Sequence, residues 1–304
     1  MPKTNIYNNT LANFTNATFE LVKWPLHSSH SLDDKVFALQ TTRFALQQVQ
    51  PFPLNAQKSA VASLDVEKLN SEKSPFNHFN LGLHVGDNAD QVIYNRNELK
   101  HFIRQQLVTA LAMSAKKITE EVNIQWLEQV HGNKVVIVTS VDEQPIIADA
   151  SITRHKNIAL AIMTADCLPI LLSHKAGVEV AAIHGGWRPL VTNIIAKTID
   201  NMHSKPIDIV AWLGPCIGKD FFEVGDEVKE AFTQLDMAFN NAFLKKKNGK
   251  YLANLYHIAR LQLQSLGITV ISNVEECTYL NTDKYYSYRK EKLTGRMASV
   301  ICRR

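Results

Sequence analysis

The residues best suited to chemistry are one thiol and two imidazoles spread over the middle of the chain. Cys167 stands in TADCLPILL, His184 follows 17 residues later, and His131 comes 36 residues before Cys167. Two imidazoles and a thiolate are good ligands for Zn²⁺, and three protein ligands with an open fourth position are typical of a catalytic site. A metal there lowers the pKa of a bound water towards ~7. These three residues are therefore a candidate metal centre.

The spacing alone leaves other interpretations open, because it matches no local zinc motif. A lone cysteine is often a small buried hydrophobe. Cys167 could also be the nucleophile of a metal-free hydrolase, with His131 or His184 as its base. The neighbouring Asp166 could orient a ligating imidazole from outside the ligand set, or it could cap the following segment.

A second group of candidate residues follows His184 in the stretch HGGWRPL. Gly185 and Gly186 allow the backbone to approach a ligand closely. Trp187 and Arg188 begin a predicted helix, whose N-terminus favours anions. Arg188 could hold a phosphate oxygen through charge-assisted bonds, or it could form an ion pair between helices.

Apolar patterning predicts the elements that position these residues. Near-continuous apolar runs predict buried strands on both sides of Cys167 and before His184. A Gly132-Asn133 turn signal predicts a hairpin of two strands around His131. Helices are predicted at ADQVIYNRNELKHFIRQQLVTAL, WRPLVTNIIAKTIDNM, GDEVKEAFTQL and LANLYHIARLQLQSLGI. The candidate residues thus fall at strand ends, where a scaffold holds them accessible.

These elements predict an α/β fold (mixed α+β), a single domain with mixed sheets flanked by helices. Residues 1–35 are predicted to be a polar N-terminal extension, and residues 36–304 are predicted to form the domain that carries the candidate residues. Within that domain, the polar stretch 47–73 is predicted to be an insertion loop. No apolar stripe is left unassigned, so we expect a monomer.

Composition excludes several classes of protein. The 304 residues carry a net charge of only +4, without the basic clusters of a nucleic-acid-binding surface. Four separated cysteines without a C-x-x-C pair are not a disulfide framework. The N-terminus does not resemble a signal peptide, and no apolar run is long enough to cross a membrane. We therefore expect a cytoplasmic protein that binds neither nucleic acid nor membrane.

Several motifs, in order, resemble the YfiH family, whose members have been described as laccase-domain proteins, polyphenol oxidases, peptidoglycan editing factors and purine nucleoside phosphorylases. The motifs are FNLGLHVGDNADQVIYNR, EQVHG, ADAS, TADCLPILL, AAIHGGWR, LGPCIG with FEVGDEV, and YYSYRKEKLTGR. The resemblance implies that His131, Cys167 and His184 are metal ligands. It also implies a zinc-dependent purine nucleoside phosphorylase that acts on adenosine, inosine and 5′-methylthioadenosine with phosphate and deaminates adenosine.

The resemblance also suggests residues for the pocket. Arg43, Asn80 and Arg188 fall in family motifs that line the substrate and phosphate site, with Arg188 the catalytic candidate. The usual His-Ala-Gly-Trp-Arg-Gly is replaced here by His-Gly-Gly-Trp-Arg-Pro, and Pro189 stiffens the helix start beside Arg188. A copper-binding polyphenol oxidase is an alternative, since Cu²⁺ binds N/S ligands more tightly than Zn²⁺. Against it, the sequence has no His-x-His pair.

Overall fold

Two stacked β-sheets form the centre of the molecule, and helices cover their outer faces. The computed structural model describes residues 18–25, 32–44, 74–112 and 121–304. The predicted insertion loop 47–73 and much of the predicted extension 1–35 lie outside these ranges. No helix in the described ranges has the length and apolar character needed to cross a membrane.

The first sheet has five strands. In spatial order they are Phe19–Leu21 (β1), Val36–Thr41 (β2), Met297–Arg303 (β16), Ile158–Thr164 (β8) and Asn123–Gln125 (β3). Neighbouring strands are antiparallel except β8 and β3. Residues 19–21 of the predicted extension therefore belong to this sheet.

One face of the first sheet packs against helix Ala89–Ala112 (α1). Successive side chains of a strand point to opposite faces. Ala159 and Ala161 of β8 accordingly share a core with Leu99 and Ile103 of α1. Leu160 and its neighbours at even positions face the second sheet instead. Burial on both faces explains why the sequence of β8 is apolar throughout.

The second sheet has six strands. In spatial order they are Val270–Asn273 (β15), Ile209–Leu213 (β11), Leu168–His174 (β9), Val180–Gly185 (β10), Ala150–Thr153 (β7) and Val135–Ile137 (β5). The central strands are antiparallel, and the two outer pairs are parallel. Leu171 and Ala182 face the first sheet, whereas Ile170 and Ile183 pack against helices.

The helices on the outer face of the second sheet are short. They are Trp187–Val191 (α2), Ile194–Asn201 (α3), Asp226–Leu235 (α4) and Leu255–Ser265 (α5), and Tyr288–Glu291 (α6) lies nearer the C-terminus. Short 3₁₀ helices cover Leu32–Asp34, Pro206–Asp208 and Met237–Ala242. Two small sheets complete the fold: Glu223–Val224 (β12), Tyr251–Ala253 (β14) and Phe243–Lys245 (β13), and the pair Leu127–Glu128 (β4) and Ile146–Ile147 (β6).

The single helix predicted from Trp187 onward is wrong. The chain forms α2 and α3 instead, because Asn193 between them has a left-handed backbone with φ 62°. Asn tolerates this conformation better than most residues. Pro189 lies in the first turn of α2, where the sequence predicts that a proline is tolerated, and its side chain is buried.

The hairpin predicted around Gly132-Asn133 is also wrong. The segment contains β3, β4 and β5, which pair in three different sheets rather than with one another. Gly132 donates its backbone N–H to a side-chain oxygen of Asp149 at 2.7 Å. The turn at Gly132 thus joins β4 to β5, which lie in different sheets, and does not form a hairpin. The predicted fold class is confirmed: a single α/β domain of mixed sheets flanked by helices.

Candidate metal centre

Cys167 lies where the chain passes from the first sheet to the second. Strand β8 ends at Thr164 and β9 begins at Leu168, so only three residues make the crossing. Asp166, at the centre of this link, is buried and has a left-handed backbone with φ 92°. The tight link fixes the half-buried thiol of Cys167 at the end of both sheets.

The structure brings both predicted imidazoles to this thiol. His184 is buried in β10 and pairs in register with Pro169 on the neighbouring strand. His131 is exposed and follows β4 in a turn with φ 57°. Ligand atoms from these two histidines and Cys167 all lie within 4.8 Å of one another. The Cys167 Sγ to His131 Nε2 distance is 3.8 Å. We call these three residues the metal cluster.

A fully buried carboxylate, Asp149, holds the imidazole of His184 and the backbone turn that carries His131. One of its oxygens is 2.8 Å from His184 Nδ1 and also accepts the backbone N–H of His131 at 3.0 Å. Its other oxygen accepts the N–H of Gly132 at 2.7 Å. A hydrogen bond at Nδ1 leaves the other ring nitrogen, Nε2, to bind a metal, which is the usual arrangement behind a ligating histidine.

The charges of the cluster favour a thiolate. Burial opposes ionisation of Cys167, but the nearby His184 and His131 outweigh it and lower the pKa of the thiol to about 6. Burial also opposes protonation of His184, yet Cys167 and Asp149 raise the pKa of that imidazole. A thiolate is the form of cysteine that binds metals.

Asp166 does not orient an imidazole, although it precedes Cys167 directly. Its side chain accepts the hydroxyl of Thr278 and the backbone N–H of Arg289, both at 2.6 Å. These bonds tie the crossing to the C-terminal region. The orienting role belongs to Asp149, which is not among the predicted site residues although it lies in the ADAS motif. The one available signal was an aspartate directly before a short buried strand.

Gly186 allows the cluster to close. A Cβ atom at this position would lie 3.2 Å from Cys167 Sγ and 3.2 Å from His131 Cδ2. Arg188 follows two residues later and is exposed, with its guanidinium 4.4 Å from the ring of Trp187. No ion pair forms to Arg188 within the described ranges. Its helix α2 has only five residues, so the predicted contribution of a long helix dipole is absent.

The two other predicted pocket residues have their polar groups engaged within the protein. The Arg43 guanidinium forms an ion pair with Glu291 at 2.9 Å and donates to the carbonyl of Thr282 at 2.7 Å. Asn80 is fully buried, donates to Asp87 at 2.9 Å, and accepts the backbone N–H of Arg296 at 2.8 Å. Neither residue has a contact to the metal cluster among the bonds seen in the described ranges.

Comparison with known proteins places this fold of two stacked sheets in one family. The chain belongs to the YfiH family: its residues 67–304 match the family model described as multi-copper polyphenol oxidoreductase laccase. The resemblance noted in the sequence is thereby confirmed.

Relatives in several bacteria have similar sequences and structures. The chain is 41% identical over 227 residues to the Escherichia coli protein named purine nucleoside phosphorylase YfiH. The aligned region covers 75% of this chain and 87% of that protein. The chain is 40% identical over 230 residues to a Haemophilus influenzae protein named purine nucleoside phosphorylase, covering 75% and 88%. The chain also superposes on the crystal structure of a Neisseria meningitidis protein with a TM-score of 0.75 and a sequence identity of 32%. The superposed region covers 94% of this chain and 99% of that one.

Proposed function

We propose that the chain is a zinc-dependent purine nucleoside phosphorylase that acts on adenosine, inosine and 5′-methylthioadenosine. The observation that carries the proposal is the metal cluster, which has three converging donor atoms and is open to solvent at exposed His131. The names of the E. coli and H. influenzae relatives support the substrate class.

The donor set fits Zn²⁺. Zinc binds sulfur at about 2.3 Å and imidazole nitrogen at about 2.0–2.1 Å, so in a tetrahedral site with one sulfur and two nitrogens the ligand atoms lie about 3.3–3.6 Å apart. The 3.8 Å between Cys167 Sγ and His131 Nε2 is slightly longer, and all three donor atoms lie within 4.8 Å of one another, so small side-chain movements would bring them to this spacing. The carboxylate behind His184 completes the arrangement expected of a zinc site. Three protein donors leave a fourth position for a substrate atom.

Copper is the alternative metal, because Cu²⁺ prefers the same nitrogen and sulfur donors. Multicopper chemistry needs several histidine-rich sites, and the sequence has no His-x-His pair. Across the part of the chain that the structure describes, only the metal cluster brings three or more His, Cys, Asp or Glu side chains close enough to hold one metal ion. This observation favours a single metal ion over an electron-transfer chain.

The residues of the chain have distinct roles in the proposed reaction. A bound metal would supply Lewis acidity on the open side of the cluster. Asp149 orients His184 and fixes the turn that carries His131. Arg188, exposed and without an internal counter-ion among the described residues, would bind a phosphate oxygen at the rim. Arg43 and Asn80 would shape the pocket from behind, since their polar groups are already bonded.

Phosphorolysis needs no redox step. A phosphate oxygen forms a bond to the anomeric carbon of the ribose while the bond from that carbon to the purine nitrogen breaks. The electron pair leaves with the base, which takes up a proton, and the products are free base and ribose 1-phosphate. Fixed cations beside the incoming phosphate lower the barrier because they are already oriented when the bonds change.

Adenosine deamination is a second proposed activity of the same site. Zinc deaminases of nucleobases also use a mixed histidine and cysteine donor set, and their attack is on C6 of adenine. The His-Cys-His cluster supports this reaction by donor chemistry alone. Inosine formed without added phosphate would reveal it.

A metal-free cysteine hydrolase, acting in peptidoglycan editing, is the alternative from a different class. The observation that favours it is the Cys167 thiol, which has a lowered pKa and lies 3.8 Å from an imidazole. Such an enzyme would be insensitive to chelators, and alkylation of Cys167 would inactivate it.

Elemental analysis of the untagged protein, paired with adenosine turnover in phosphate with and without a chelator, tests the proposal. We expect one zinc per chain, adenine released only with phosphate, and loss of both in Cys167→Ala. Cys302→Ala is the matched control, because that thiol is buried in β16 and is not part of the metal cluster. Metal-free protein with full turnover would favour the cysteine hydrolase, and zinc without nucleoside turnover would contradict the phosphorylase.

A further inference from the structure

Two arginines flank the loop that begins at Leu81. Arg96, on α1, donates its Nε–H to the carbonyl of Leu81 at 2.9 Å. Its guanidinium lies 4.1 Å from the ring of Trp126, and its Nη2 is 3.7 Å from the sulfur of Met163. Every one of these partners is uncharged, so the contacts orient the cation without neutralising it.

Arg296, the second arginine, approaches the same loop from the C-terminal region. Its carbonyl accepts the N–H of Leu81 at 3.1 Å, and its Nη1 donates to the carbonyls of Thr294 and Gly295 at 3.0 and 2.9 Å. A Cβ atom on Gly82 would lie only 2.8 Å from Cγ of Arg296. The glycine is therefore needed for the arginine stem to pack here.

Neither arginine forms an ion pair within the described ranges. The negative groups nearest Arg296 are Cys167, a member of the metal cluster, and then Asp166, both of whose carboxylate oxygens are already bonded elsewhere. Glu128 is exposed and acts on the pKa of His84 rather than pairing with an arginine. A charged group that is largely out of water is normally paired. Neither arginine thus has a carboxylate partner in the described ranges, and the thiolate near Arg296 belongs to the metal cluster.

The electrostatics of the loop agree with this geometry. Burial lowers the pKa of Arg96 to about 10 and also lowers that of Arg296. Partial loss of solvent around the ring, then the charges of Arg296 and Arg96, lower the pKa of His84, an exposed residue two positions beyond Gly82. Two guanidinium cations and one neutral imidazole therefore share one positive region, which we call the cation group: His84, Arg96 and Arg296.

The cation group lies next to the metal cluster. Arg96 contacts Met163 near the end of β8, and the residue after Arg296 pairs in register with Thr164. From that strand end the chain runs directly to Cys167. The hydroxyl of Thr164 is buried there and has no hydrogen-bond partner in the described ranges.

We infer that His84, Arg96 and Arg296 bind a phosphate dianion beside the metal cluster, as free phosphate or as the phosphate group of a nucleotide. As the co-substrate site of a phosphorylase, the inference rests on the function proposed above. As an anion site, it rests only on the unpaired arginines. Guanidinium groups match phosphate oxygens in charge and geometry. Asn80, which accepts the backbone N–H of Arg296, is then a positioning residue for this site.

Calorimetric titration of the metal-loaded protein with inorganic phosphate, in the absence of nucleoside, tests the inference. We expect Arg296→Gln and Arg96→Gln each to raise the Kd for phosphate about tenfold, and Arg296→Lys to recover part of the loss. Arg104→Gln is the matched control, because Arg104 is an exposed residue of the same helix α1. His84→Ala is a second test variant that should fold normally, because His84 is exposed. We expect it to raise the Kd for phosphate about threefold.

A parallel titration with adenosine 5′-monophosphate separates the two sources of phosphate. If only the nucleotide binds and Arg296→Gln weakens it, the group serves a phosphate ester. If inorganic phosphate binds with the same sensitivity, the group serves free phosphate. Unchanged Kd values in folded Arg296→Gln and His84→Ala, or a tenfold loss in Arg188→Gln alone, would overturn the inference.

The outcome is independent of the proposed reaction. Phosphate binding that depends on Arg296, in a protein that does not turn over adenosine, would keep the anion site and reject the phosphorylase. Phosphorolysis with an unchanged KM for phosphate in Arg296→Gln would do the opposite.

Discussion

Two buried carboxylates lie at opposite ends of the same antiparallel pair of strands. Asp149 precedes β7 and Glu179 precedes β10. Each has almost no exposed surface, and each accepts several hydrogen bonds that keep its pKa low against the effect of burial. The two carboxylates are therefore alike in burial and in the direction of their pKa shifts. The difference between them lies in the groups they bind.

At one end, Asp149 binds His184 and the turn of His131, both of which present ring nitrogens to an open site. At the other end, Glu179 binds Arg154, Ser204 and the backbone of His203, and no metal-binding group is present there among its bonded partners. A buried, hydrogen-bonded carboxylate thus identifies a fixed point of the fold. Only its partners show whether that point serves chemistry or stability.

The largest difference between the two ends should appear in metal affinity. We expect Asp149→Asn to weaken zinc binding about 10- to 100-fold, because the amide cannot serve the imidazole and both backbone donors as the carboxylate does. Competition with a chromogenic chelator measures the affinity. Glu179→Gln is the matched control and should leave it unchanged. Equal affinities in both variants would remove the functional distinction between the two carboxylates.

The free energy of unfolding should depend on Glu179, at the other end of the strand pair. Glu179→Gln is expected to lower the free energy of unfolding by about 1–3 kcal/mol, since it leaves the Arg154 guanidinium without its counter-ion and weakens the acceptor of two partly buried backbone N–H groups. Denaturant unfolding followed by circular dichroism measures this change. A variant as stable as the parent protein would show that Glu179 is dispensable.

The same carboxylate predicts how stability depends on pH. Burial raises the pKa of Glu179, but the bonds from Ser204 and His203 and the charge of Arg154 outweigh it and lower the pKa below the ordinary 4.5. Its contribution is therefore complete above pH 4.5 and is lost as the pH falls through the lower, folded-state pKa. The difference in Tm between the parent protein and Glu179→Gln should shrink over that acid range. A constant difference down to the lowest pH would contradict the assignment.

The sequence predicts the pieces of this site better than their arrangement. Long apolar runs predict β8, β9 and β10 because these strands are buried on both faces. The donor types of His131, Cys167 and His184 predict a metal. By contrast, strand register is not written in local patterns, and it is register that places His184 opposite Pro169, two residues from Cys167.

The same limit explains the errors around the site. Adjacency in sequence suggested Asp166 as the residue behind an imidazole, whereas strand pairing brings Asp149 there from a distance of 35 residues. The turn signal at Gly132-Asn133 was real, but its direction depends on a hydrogen bond to that same aspartate. Asn193 divides a periodic apolar segment that looks continuous in sequence.

The smallest expected effect refines the comparison most closely. The Ser204 hydroxyl donates to Glu179 at 2.6 Å, and the backbone N–H of the same residue donates to it at 2.9 Å. Ser204→Ala removes only the first bond, so we expect a loss of about 0.5–1.5 kcal/mol in unfolding free energy. Removing a donor to the ionised form should also raise the pKa of Glu179, which moves its acid transition to higher pH.

Zinc affinity should not change in Ser204→Ala, and the exposed Ser140→Ala controls for the loss of a hydroxyl. If stability and the acid transition shift together while metal binding stays constant, the two ends of the β7–β10 pair are energetically independent. If zinc affinity falls as well, the strands transmit strain from one carboxylate to the other, and the metal cluster depends on the whole strand pair rather than on Asp149 alone.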